Sequence, residues 1–582
     1  MSRVHPPANC PPANCPPGTA DASWSPRRWA ALAVLLAAGF MDLLDTTIVN
    51  VAIPSIRADI NASYAVVQWF IAGYLLAVAV TLITGGRLGD LYGRKRVFLC
   101  GVIGFGIMSL SCGLAPTPMF LVITRVLQGA CAAVMITQIL SVIQVSFPRE
   151  EQRKALALYS SIAGVAVMSG PLMAGVILNV LDLGWRWIFL INVPVSVVVT
   201  FAALAIVPES RSKEARQLDL GGVALVSTGL FALVFGIIQG RELGWPAWVF
   251  AMMATAVPLF AFFAHYERRK EARGGSPLVS MALFRDRSFS AGLVVMLVFF
   301  SGIVGFFLAF TIFLQLGLGY TPLQSALTTF PSSVGLVVAS QASTRLAPRL
   351  GRSVLAAGAL MMVAAQAGLA LIVHLHGDHL TPWDVRPVIF VFGLGMGLIL
   401  PSLADVIIAG VHERNAGAAS AVLNTGMQVG NAVGVAIIGV ILFSVIGSHA
   451  GRSAANVAPQ ISRQLTALEV PATARESAIQ AFQVCFTDSS RQEDPAAVPA
   501  SCRGNQAGQL PGAVQQKIHT VLTTAATEAR KDNFAAAIQR ALLYEVGVFL
   551  ATTGLLFLLP RAMRPKVAKA DGSLREVAAE LR

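Results

Sequence analysis

Three acidic or basic side chains lie inside the first six long apolar stretches, where a charge needs a partner or a function. Asp42 and Asp45 share the first stretch, roughly 29–53, and Arg125 lies in the fourth, roughly 117–145. An ionisable group at the middle of a membrane helix costs roughly 2.5–3.5 kcal/mol on insertion scales. Residues three apart lie on one helical face, so both carboxyl groups point in one direction. The pattern predicts a proton-binding site; a purely structural carboxylate paired to a neighbouring helix is the alternative.

Arg125 is the expected partner of Asp45. If the first helix runs outward and the fourth inward, both residues lie at a similar depth below the outer surface. Burial favours the protonated carboxylic acid, whereas a neighbouring arginine favours the carboxylate. Competition between these two effects is what a reversible proton carrier requires.

The composition describes an integral membrane protein. The chain has 582 residues, of which 55% are hydrophobic and only 13% are charged, whereas soluble proteins carry about 25% charged residues. The net charge is +13, but the Lys and Arg residues concentrate in connections on one side. That asymmetry orients the chain in the membrane and favours contact with anionic lipid, so we expect no nucleic-acid partner.

Fourteen apolar stretches are long enough to cross a membrane. We expect them at roughly 29–53, 64–84, 97–115, 117–145, 155–180, 187–207, 219–239, 247–266, 289–316, 323–346, 353–373, 386–409, 416–446 and 540–560. The predicted organisation is a disordered cytoplasmic tail (1–27), an N-terminal six-helix bundle (28–210), two inserted helices and a cytoplasmic linker (211–288), helices 9–13 of a C-terminal bundle (289–446), an outer, partly helical cap (447–539), helix 14 (540–561) and a cytoplasmic tail (562–582).

A short, basic, glycine-rich connection joins the second and third stretches. We expect its glycines, Gly86, Gly89 and Gly93, to permit a tight turn and the close approach of a neighbouring helix. Asp90 is the single anion there, and Arg94 is one of its possible partners. The alternative is a turn whose positive charges only hold it on the cytoplasmic side. The stretch Arg345–Arg352 aligns with Arg87–Arg94, which predicts two duplicated six-helix halves.

The stretch Gly86–Lys95 resembles the signature loop of the major facilitator superfamily, although Leu91 replaces a residue that is often basic there. Leu44–Pro54 resembles the first-helix signature of fourteen-helix drug:proton antiporters, and Arg125–Ala130 resembles the fourth-helix signature of proton-coupled exporters. Gly184–Pro194 resembles a marker of the same class. We expect its aromatic residues to anchor the chain at the membrane–water interface, and we do not expect it to form part of a site. The resemblance implies two six-helix bundles with two additional helices, and an inner latch formed by the signature loop.

The fifth stretch contains Ser169–Gly175, which resembles the motif that marks exporters in this superfamily, with Ala174 in place of a common glycine. Gly170 and Pro171 permit a bend, and Gly175 permits close packing. An ordinary proline kink is the alternative.

Segment 13 carries two stripes of possible cavity residues. Asn424, Gln428 and Asn431 form an amide stripe that we expect to line a substrate cavity or to bond between helices, and neighbouring glycines are expected to mediate packing. Phe306 and Phe310 of segment 9 are candidate aromatic walls, with a lipid-facing position as the alternative. Glu545, toward the outer end of segment 14, is expected to reach outer water.

Cys485 and Cys502 are the two cysteines of the outer cap. Topology places both on the oxidising side of the membrane, and the segment between them is polar. We predict a disulfide worth roughly 3 kcal/mol for a loop of about this length.

By resemblance, the function is proton-driven efflux of small lipophilic or cationic compounds through alternating access, not enzymatic catalysis. No cofactor or metal is expected. The expected partners are a small-molecule substrate, protons and the lipid bilayer, with a monomeric transport unit in the cytoplasmic membrane and both termini inside. An exporter of a dedicated solute, such as a lipid, a siderophore or a self-made antibiotic, remains open, as does a non-transporting membrane sensor.

Overall fold

The computed structural model describes residues 27–211, 219–275, 277–279, 281, 283–377, 380–408, 416–491, 499–502 and 512–559. Regular structure in these residues is entirely helical. The predicted N-terminal tail, apart from residue 27, and the C-terminal tail lie outside this range.

Sixteen α-helices occupy the described residues. They are α1 (Arg28–Ile60), α2 (Tyr64–Tyr92), α3 (Arg94–Gly113), α4 (Pro118–Ser146), α5 (Arg149–Gly175), α6 (Trp187–Leu190), α7 (Asn192–Ile206), α8 (Leu220–Glu242), α9 (Ala247–Ala272), α10 (Arg287–Ile312), α11 (Pro322–Leu350), α12 (Arg352–His376), α13 (Pro382–Ile408), α14 (Ala416–Ala467), α15 (Ala472–Arg491) and α16 (Gly512–Leu556). Short π-helical turns continue α5 over Val176–Val180 and α10 over Phe313–Gly317.

Side-chain caps begin several of these helices where the apolar runs start. Ser63 accepts a hydrogen bond from the backbone N–H of Val66 at the start of α2, and Asp286 does the same for two N–H groups at the start of α10. Such caps satisfy donors that have no partner within the helix. The capped apolar stretches therefore form helices where the hydropathy pattern predicts them.

The helices form two bundles with a helix pair beside them. In the N-terminal half, α4 packs against α2 and α3, and α1 packs against α5 and α7. In the C-terminal half, α13 packs against α11 and α12, and α16 packs against α10, α12 and α14. The inserted helices α8 and α9 pair with each other, and α8 also contacts α2 and α14.

Both halves repeat one local device, as the internal sequence repeat predicts. Gly93 joins α2 to α3 with φ +104°, and Gly351 joins α11 to α12 with φ +55°; positive φ is a conformation that glycine adopts at little cost. After the first glycine, Nζ of Lys95 donates to the carbonyl of Leu204 near the end of α7. After the second, Nη1 of Arg352 donates to the carbonyl of Phe557 at the end of α16. Each hairpin is thus tied to the last helix of its own half.

The two halves contact each other along α2 and α14 and at the end of the bundle that carries α15. We call this end the cap side; the opposite end, with the signature loop, is the loop side. On the cap side, Nε2 of Gln315 donates to the carbonyl of Val51 at 2.8 Å. The backbone N–H of Leu323 donates to Oδ1 of Asn179 at 2.8 Å. These contacts join α1 and the end of α5 to α10 and α11.

The cap is a continuation of two long helices. α14 runs unbroken to Ala467 and α16 begins at Gly512, so the predicted boundaries at 446 and 539 have no counterpart in the structure. Residues such as Ile461, Phe482 and Val521 form a separate small apolar core between α14, α15 and α16. Cys485 and Cys502 form a disulfide there, with Cα atoms 4.8 Å apart.

Twelve helical segments in the described residues are long and apolar enough to cross a membrane. The predicted stretches 155–180 and 323–346 form α5 and α11, which are not among the twelve. α11 is rich in serine and threonine, and α5 and α11 pack against each other. The part of α5 over Ser169–Val180 is apolar, so the polar composition belongs to α11.

Candidate functional site

Asp45 is the centre of a buried polar network in the N-terminal half. Its Oδ2 lies 2.6 Å from Nη1 of Arg125, and the two side chains are 0% and 2% exposed. Its Oδ1 accepts hydrogen bonds from Nδ2 of Asn192 at 2.8 Å and from Nε2 of Gln128 at 3.2 Å. Charge-assisted bonds of this kind stabilise the ionised carboxylate. Asp45 and Arg125 thus form the pair that their similar predicted depth in the membrane indicates.

Arg125 is held from further directions. Its Nε donates to the carbonyl of Phe70 at 3.1 Å, and its Nη1 donates to Oε1 of Gln128 at 2.8 Å. The guanidinium carbon lies 4.2 Å from the ring centroid of Tyr74, a cation–π distance. The arginine is thus positioned by α2 and by its own helix independently of the carboxylate.

Asn192, at the start of α7, is a site residue that the sequence analysis missed, because it treats Gly184–Pro194 only as a marker. Besides its bond to Asp45, Nδ2 of Asn192 donates to Oγ of Ser109 at 3.1 Å. Ser109 in turn donates to the carbonyl of Phe189 at 2.9 Å. The available signal was a single amide in an apolar run, which a membrane helix rarely carries without a partner.

Asp42 belongs to a second, adjoining pair. The Tyr74 hydroxyl donates to Oδ1 of Asp42 at 2.5 Å, and Asp42 is 5% exposed. The ring of that tyrosine is the one against which Arg125 lies. Asp42 is therefore linked to the arginine through Tyr74, whereas Asp45 contacts it directly.

The exporter-like motif of α5 contacts both halves. A Cβ on Gly170 would lie 2.0 Å from Oγ1 of Thr47, so this glycine permits α5 to approach α1 beside Asp45. A Cβ on Gly175 would lie 2.8 Å from the Cα of Leu323 in α11. Pro171 lines a small cavity of about 70 Å³ between the halves. The motif therefore connects α1, beside Asp45, to the interface between the halves.

The signature stretch is mostly helical. α2 continues to Tyr92, so only Gly93 lies outside the flanking helices. The expectation of close approach at Gly86 is wrong in this conformation, because nothing lies within 4 Å of a Cβ placed there. The expected close approach is present at Gly89, since an added Cβ would lie 1.9 Å from the Gln138 side chain of α4.

Charged residues after Gly89 connect this hairpin to the end of α7. Asp90 accepts from Nη2 of Arg94 at 2.8 Å, within one turn of chain. The backbone N–H of Arg94 donates to the carbonyl of Ser210 at 2.9 Å. A Cβ on Gly93 would lie 2.7 Å from Oε1 of Glu209. The contacts described here lie within the N-terminal half; the latch between halves stays a prediction.

Arg87 connects the same hairpin to the linker that follows the inserted helices. It donates to the carbonyl of Pro277, and the next residue, Leu278, donates its N–H to Asp219 at 3.2 Å. Asp219 also pairs with Lys270 at 2.9 Å. Burial acts to raise the pKa of Asp219, but the hydrogen bonds from Gly222 N–H and Lys270 outweigh it and lower that pKa below its ordinary value.

The two stripes of α14 occupy different surroundings. Nδ2 of Asn431 donates to Oε1 of Gln428 at 3.3 Å, and Asn431 is buried; Asn424 is half-buried. The glycine stripe includes Gly430, where an added Cβ would lie 2.7 Å from the carbonyl oxygen of Leu297 in α10, so the predicted role in close helix packing is confirmed. Gly426 and Gly430 also line the apolar cavity described below. Contact of the amides with substrate stays a prediction.

That apolar cavity, of about 560 Å³, lies between α2, α8, α9, α10 and α14. Its walls include Leu230, Phe260, Phe263, Leu297 and Val429. The residues that line it carry no charged side chain in the described part of the chain, and the inserted helix pair supplies one wall. Its volume falls in the range of small-molecule sites.

Phe306 and Phe310 lie in an aromatic cluster of the C-terminal half. Their rings stack with centroids 5.3 Å apart, and Phe306 is 4.7 Å from the ring of Phe392. Both are fully buried, so a lipid-facing position is excluded in this conformation. A role as cavity walls stays a prediction.

The expectation that Glu545 reaches outer water is wrong. Glu545 is 1% exposed, and its side chain is packed against Gly302 of α10. The helix α16 begins at Gly512, long before the predicted start of segment 14 at residue 540. Glu545 therefore does not lie near a helix end, and it packs inside the bundle.

The sequence comparisons agree with this architecture. The Major Facilitator Superfamily model matches residues 35–435. The chain is 39% identical over 549 residues to a probable actinorhodin transporter of Streptomyces coelicolor, covering 94% of this chain and 93% of that protein. It is 34% identical over 425 residues to the tetracenomycin C resistance and export protein of Streptomyces glaucescens, covering 72% and 77%. The multidrug resistance protein Stp of Mycobacterium tuberculosis is 33% identical over 417 residues, covering 71% and 76%.

Solved structures support the fold alone. A bacterial homologue of the human lysosomal transporter Spinster, in an inward-facing and unoccupied conformation, superposes with a TM-score of 0.53 at 17% identity, covering 92% of this chain and 98% of that one. An auto-inhibited POT family peptide transporter gives 0.54 at 13% identity, covering 70% and 89%.

The fold, the buried ion pair and these matches define a multi-pass membrane transporter, not an enzyme. The chain belongs to the Major Facilitator Superfamily. Within it, the chain is related to efflux proteins of antibiotic export and drug resistance.

Proposed function

We propose that the chain exports small lipophilic compounds of the antibiotic type in exchange for protons, by alternating access. The observation that carries the proposal is the solvent-excluded Asp45–Arg125 ion pair. Replacing a buried ion pair with apolar residues is often neutral or stabilising, so such a pair is poor evidence of a purely structural role. Ionisable residues at membrane depth mark proton and substrate pathways.

In this proposal fourteen helical segments cross the cytoplasmic membrane, with the cap side outside and both termini inside. α5 and α11 complete the fourteen as the pair that separates the two halves. Their contact through Asn179 and Leu323 supports this assignment. The basic hairpin at Gly93 then lies in the cytoplasm, as the positive-inside rule requires.

The proton step acts on the carboxylate of Asp45. A proton from outside binds one oxygen, which removes the negative charge that holds Arg125 at 2.6 Å. Arg125 keeps its bonds to the carbonyl of Phe70 and to Gln128, so it stays on α2 and α4 while α1 is released. Loss of the proton to the cytoplasm restores the pair. Each proton carries about 2.3 kcal/mol per 100 mV of membrane potential.

Movement of α1 can reach the substrate path through direct contacts. Thr47, two residues from Asp45, packs on Gly170 of α5. Val51, one turn further, accepts from Gln315 beside α10. The second contact joins the two halves, and the first lies within the N-terminal half beside the small cavity between them. A change in the charge of Asp45 therefore acts on the helices that must separate when the outer side opens, with the pair Asp90–Arg94 as a latch on the inner side.

The apolar cavity supports a lipophilic cargo. Its residues offer aromatic and aliphatic walls without a charged group in the described chain, so a cationic cargo would have no counter-ion there. The relatives named for actinorhodin and tetracenomycin C favour export of a dedicated antibiotic-like solute over a broad drug range, whereas Stp is named for multidrug resistance. A non-transporting sensor is disfavoured by the complete ion-pair network.

Transport in everted membrane vesicles tests the proposal. We expect accumulation of lipophilic antibiotics and dyes when a proton gradient is present, and loss of accumulation when an uncoupler removes it. A panel that contains neutral and cationic compounds separates the two cargo classes. Gradient-independent accumulation, or none with any compound, would contradict the proposal.

The cavity has its own matched test. Phe263 lines the cavity, whereas its neighbour Phe262 is 55% exposed and does not line it. We expect Phe263→Trp to raise the KM of transport by filling the cavity, and Phe262→Trp to leave it unchanged. Equal effects of both variants would remove the cavity from the substrate path.

A further inference from the structure

The carboxyl group of Glu545 is buried without a partner. Glu545 is 1% exposed, and neither Oε1 nor Oε2 has a hydrogen-bond partner in the described part of the chain. The proposed proton step at Asp45 does not use it. An ionised carboxylate in this position would lack both solvent and donors, which is the most costly arrangement for a buried charge.

The surroundings of this carboxyl are aromatic and closely packed. A Cβ on Gly302 of α10 would lie 2.6 Å from Oε2 and 2.8 Å from the ring of Phe549. The Phe549 ring is 6.2 Å from Phe299 and 6.0 Å from Phe392. Gly302 therefore leaves the space that the carboxyl occupies, at the middle of α10.

Among the described residues, no cation is positioned to neutralise the group. The ionisable residues of the helices around it lie toward helix ends or in the cap: Arg287 of α10; Arg352, His374 and His376 of α12; Asp384, Arg386 and Asp405 of α13; His449, Arg452 and Arg463 of α14; and Arg475, Glu476, Asp488 and Arg491 of α15. From Gly302 to Arg287 is about 22 Å along α10, at 1.5 Å per residue. On α16, Arg540 is neither three nor four residues away, so it does not share the face of Glu545. Tyr544, the adjacent residue, lies close enough to interact with Glu545 electrostatically but carries no positive charge.

We infer that Glu545 is a second proton-binding site, which holds a proton in the conformation seen here and exchanges it when α16 separates from α10. The step is the binding of one proton to the carboxylate, giving the neutral acid, and its reversal. The N-terminal half neutralises its carboxylate with Arg125; the C-terminal half neutralises Glu545 with a proton. Its contribution to transport rests on the proposed function, whereas its protonation does not.

Infrared spectroscopy of the full chain in lipid nanodiscs tests the protonation directly. At neutral pH we expect a carboxylic acid C=O stretching band that Glu545→Gln removes. Asp384→Asn, at the start of α13 and in contact with Thr381, serves as the control and keeps the band. A band unchanged in Glu545→Gln would overturn the inference.

Stability gives a second, independent readout. Glutamine is an uncharged isostere of the protonated acid, so Glu545→Gln should leave the thermal midpoint unchanged at neutral pH. If the variant does not fold, Gly302→Ala replaces it, because the added Cβ must displace the carboxyl and shift the acid band. An acid band that does not move in Gly302→Ala would overturn the assignment.

Transport separates this inference from the proposed function. In everted vesicles we expect Glu545→Gln to export dye while moving about twofold fewer protons per dye molecule, since one of two proton-binding carboxyls is lost. An unchanged ratio in a variant that has lost the acid band would make Glu545 a structural acid and overturn its role in exchange. Full coupled transport by Asp45→Asn would overturn the proposed function instead, with the infrared result unaffected.

Discussion

The two halves of this transporter share one backbone feature, a glycine at positive φ between two helices. They differ in the partners of their buried carboxyl groups. Gly93 and Gly351 join corresponding helix pairs, and each hairpin bonds to the last helix of its half. In the N-terminal half, Asp45 has an arginine and two amides around its carboxylate. In the C-terminal half, Glu545 has no partner among the described residues. The two carboxyl groups lie on different helices of their halves, α1 and α16, and they differ in whether a cation and hydrogen-bond donors surround them.

The largest loss of transport is expected from replacing Asp45. Asp45→Asn should abolish proton-driven export in everted vesicles, because the amide cannot bind and release the coupling proton. Asp42→Asn should have a smaller effect, since Asp42 contacts Tyr74 and not Arg125. Insertion and folding should persist in both variants, as judged by size-exclusion elution. Export by Asp45→Asn at the wild-type rate would show that the coupling proton binds elsewhere.

The ion pair between Arg125 and Asp45 should also affect the free energy of unfolding. Arg125→Leu should destabilise the folded protein by about 3–5 kcal/mol, because it leaves a buried carboxylate unpaired. The double variant with Asp45→Asn should recover part of that loss, since no charge then remains. Thermal unfolding in detergent measures both. Equal destabilisation by the single and double variants would mean that the pair is not coupled.

Asn192 tests whether the N-terminal network extends to α7. Asn192→Leu removes one donor to a charged group, which is worth roughly 1.5–3 kcal/mol. We expect the pH profile of export to change, because the carboxylate that is proposed to bind the coupling proton loses one of its hydrogen-bond donors. Ser196→Ala, one turn further along α7, is the control. Identical pH profiles would reduce Asn192 to a packing residue.

The two hairpins provide the next contrast. Gly93→Val should slow turnover without changing the KM, because a β-branched residue at φ +104° is strained and meets Glu209. Gly351→Val should slow it less, since Pro348 replaces the latch carboxylate of Asp90 in the second copy. Asp90→Asn should resemble Gly93→Val. A change in KM with an unchanged rate would place the first hairpin in the substrate path.

The smallest effect on transport is expected at the cap. Cys485→Ser or Cys502→Ser should leave the export rate unchanged, because the disulfide lies in the separate cap core. It should lower cap stability by roughly 3 kcal/mol through loss of the crosslink. Limited proteolysis of the variants in membranes, with and without reductant, measures this. Slower export in either variant would connect the cap to the transport cycle.

Much of the fold and part of the site were predictable because they depend on local chemistry. Apolar runs of membrane length predict helices, and all fourteen predicted stretches are helical in the described residues. A carboxylate and an arginine at equal depth predict a pair, because neither can remain alone in an apolar bundle. The helical continuation through the cap was missed, because polar alanine-rich helices lack the hydropathy signal on which membrane segments are assigned.

The residue pattern alone is enough to predict the helical class, the hairpin glycine and the ionisable residues that need partners. The packing of the helices is needed to see that Asn192 bonds to Asp45 and Tyr74 to Asp42, that Gly426 lines a cavity, and that Glu545 is buried. The physical reason is that helical periodicity assigns a side chain to a face of its own helix, whereas its partners belong to other helices. Which helix covers that face, and whether it brings a donor, a glycine or an aromatic ring, depends on packing between segments far apart in the chain.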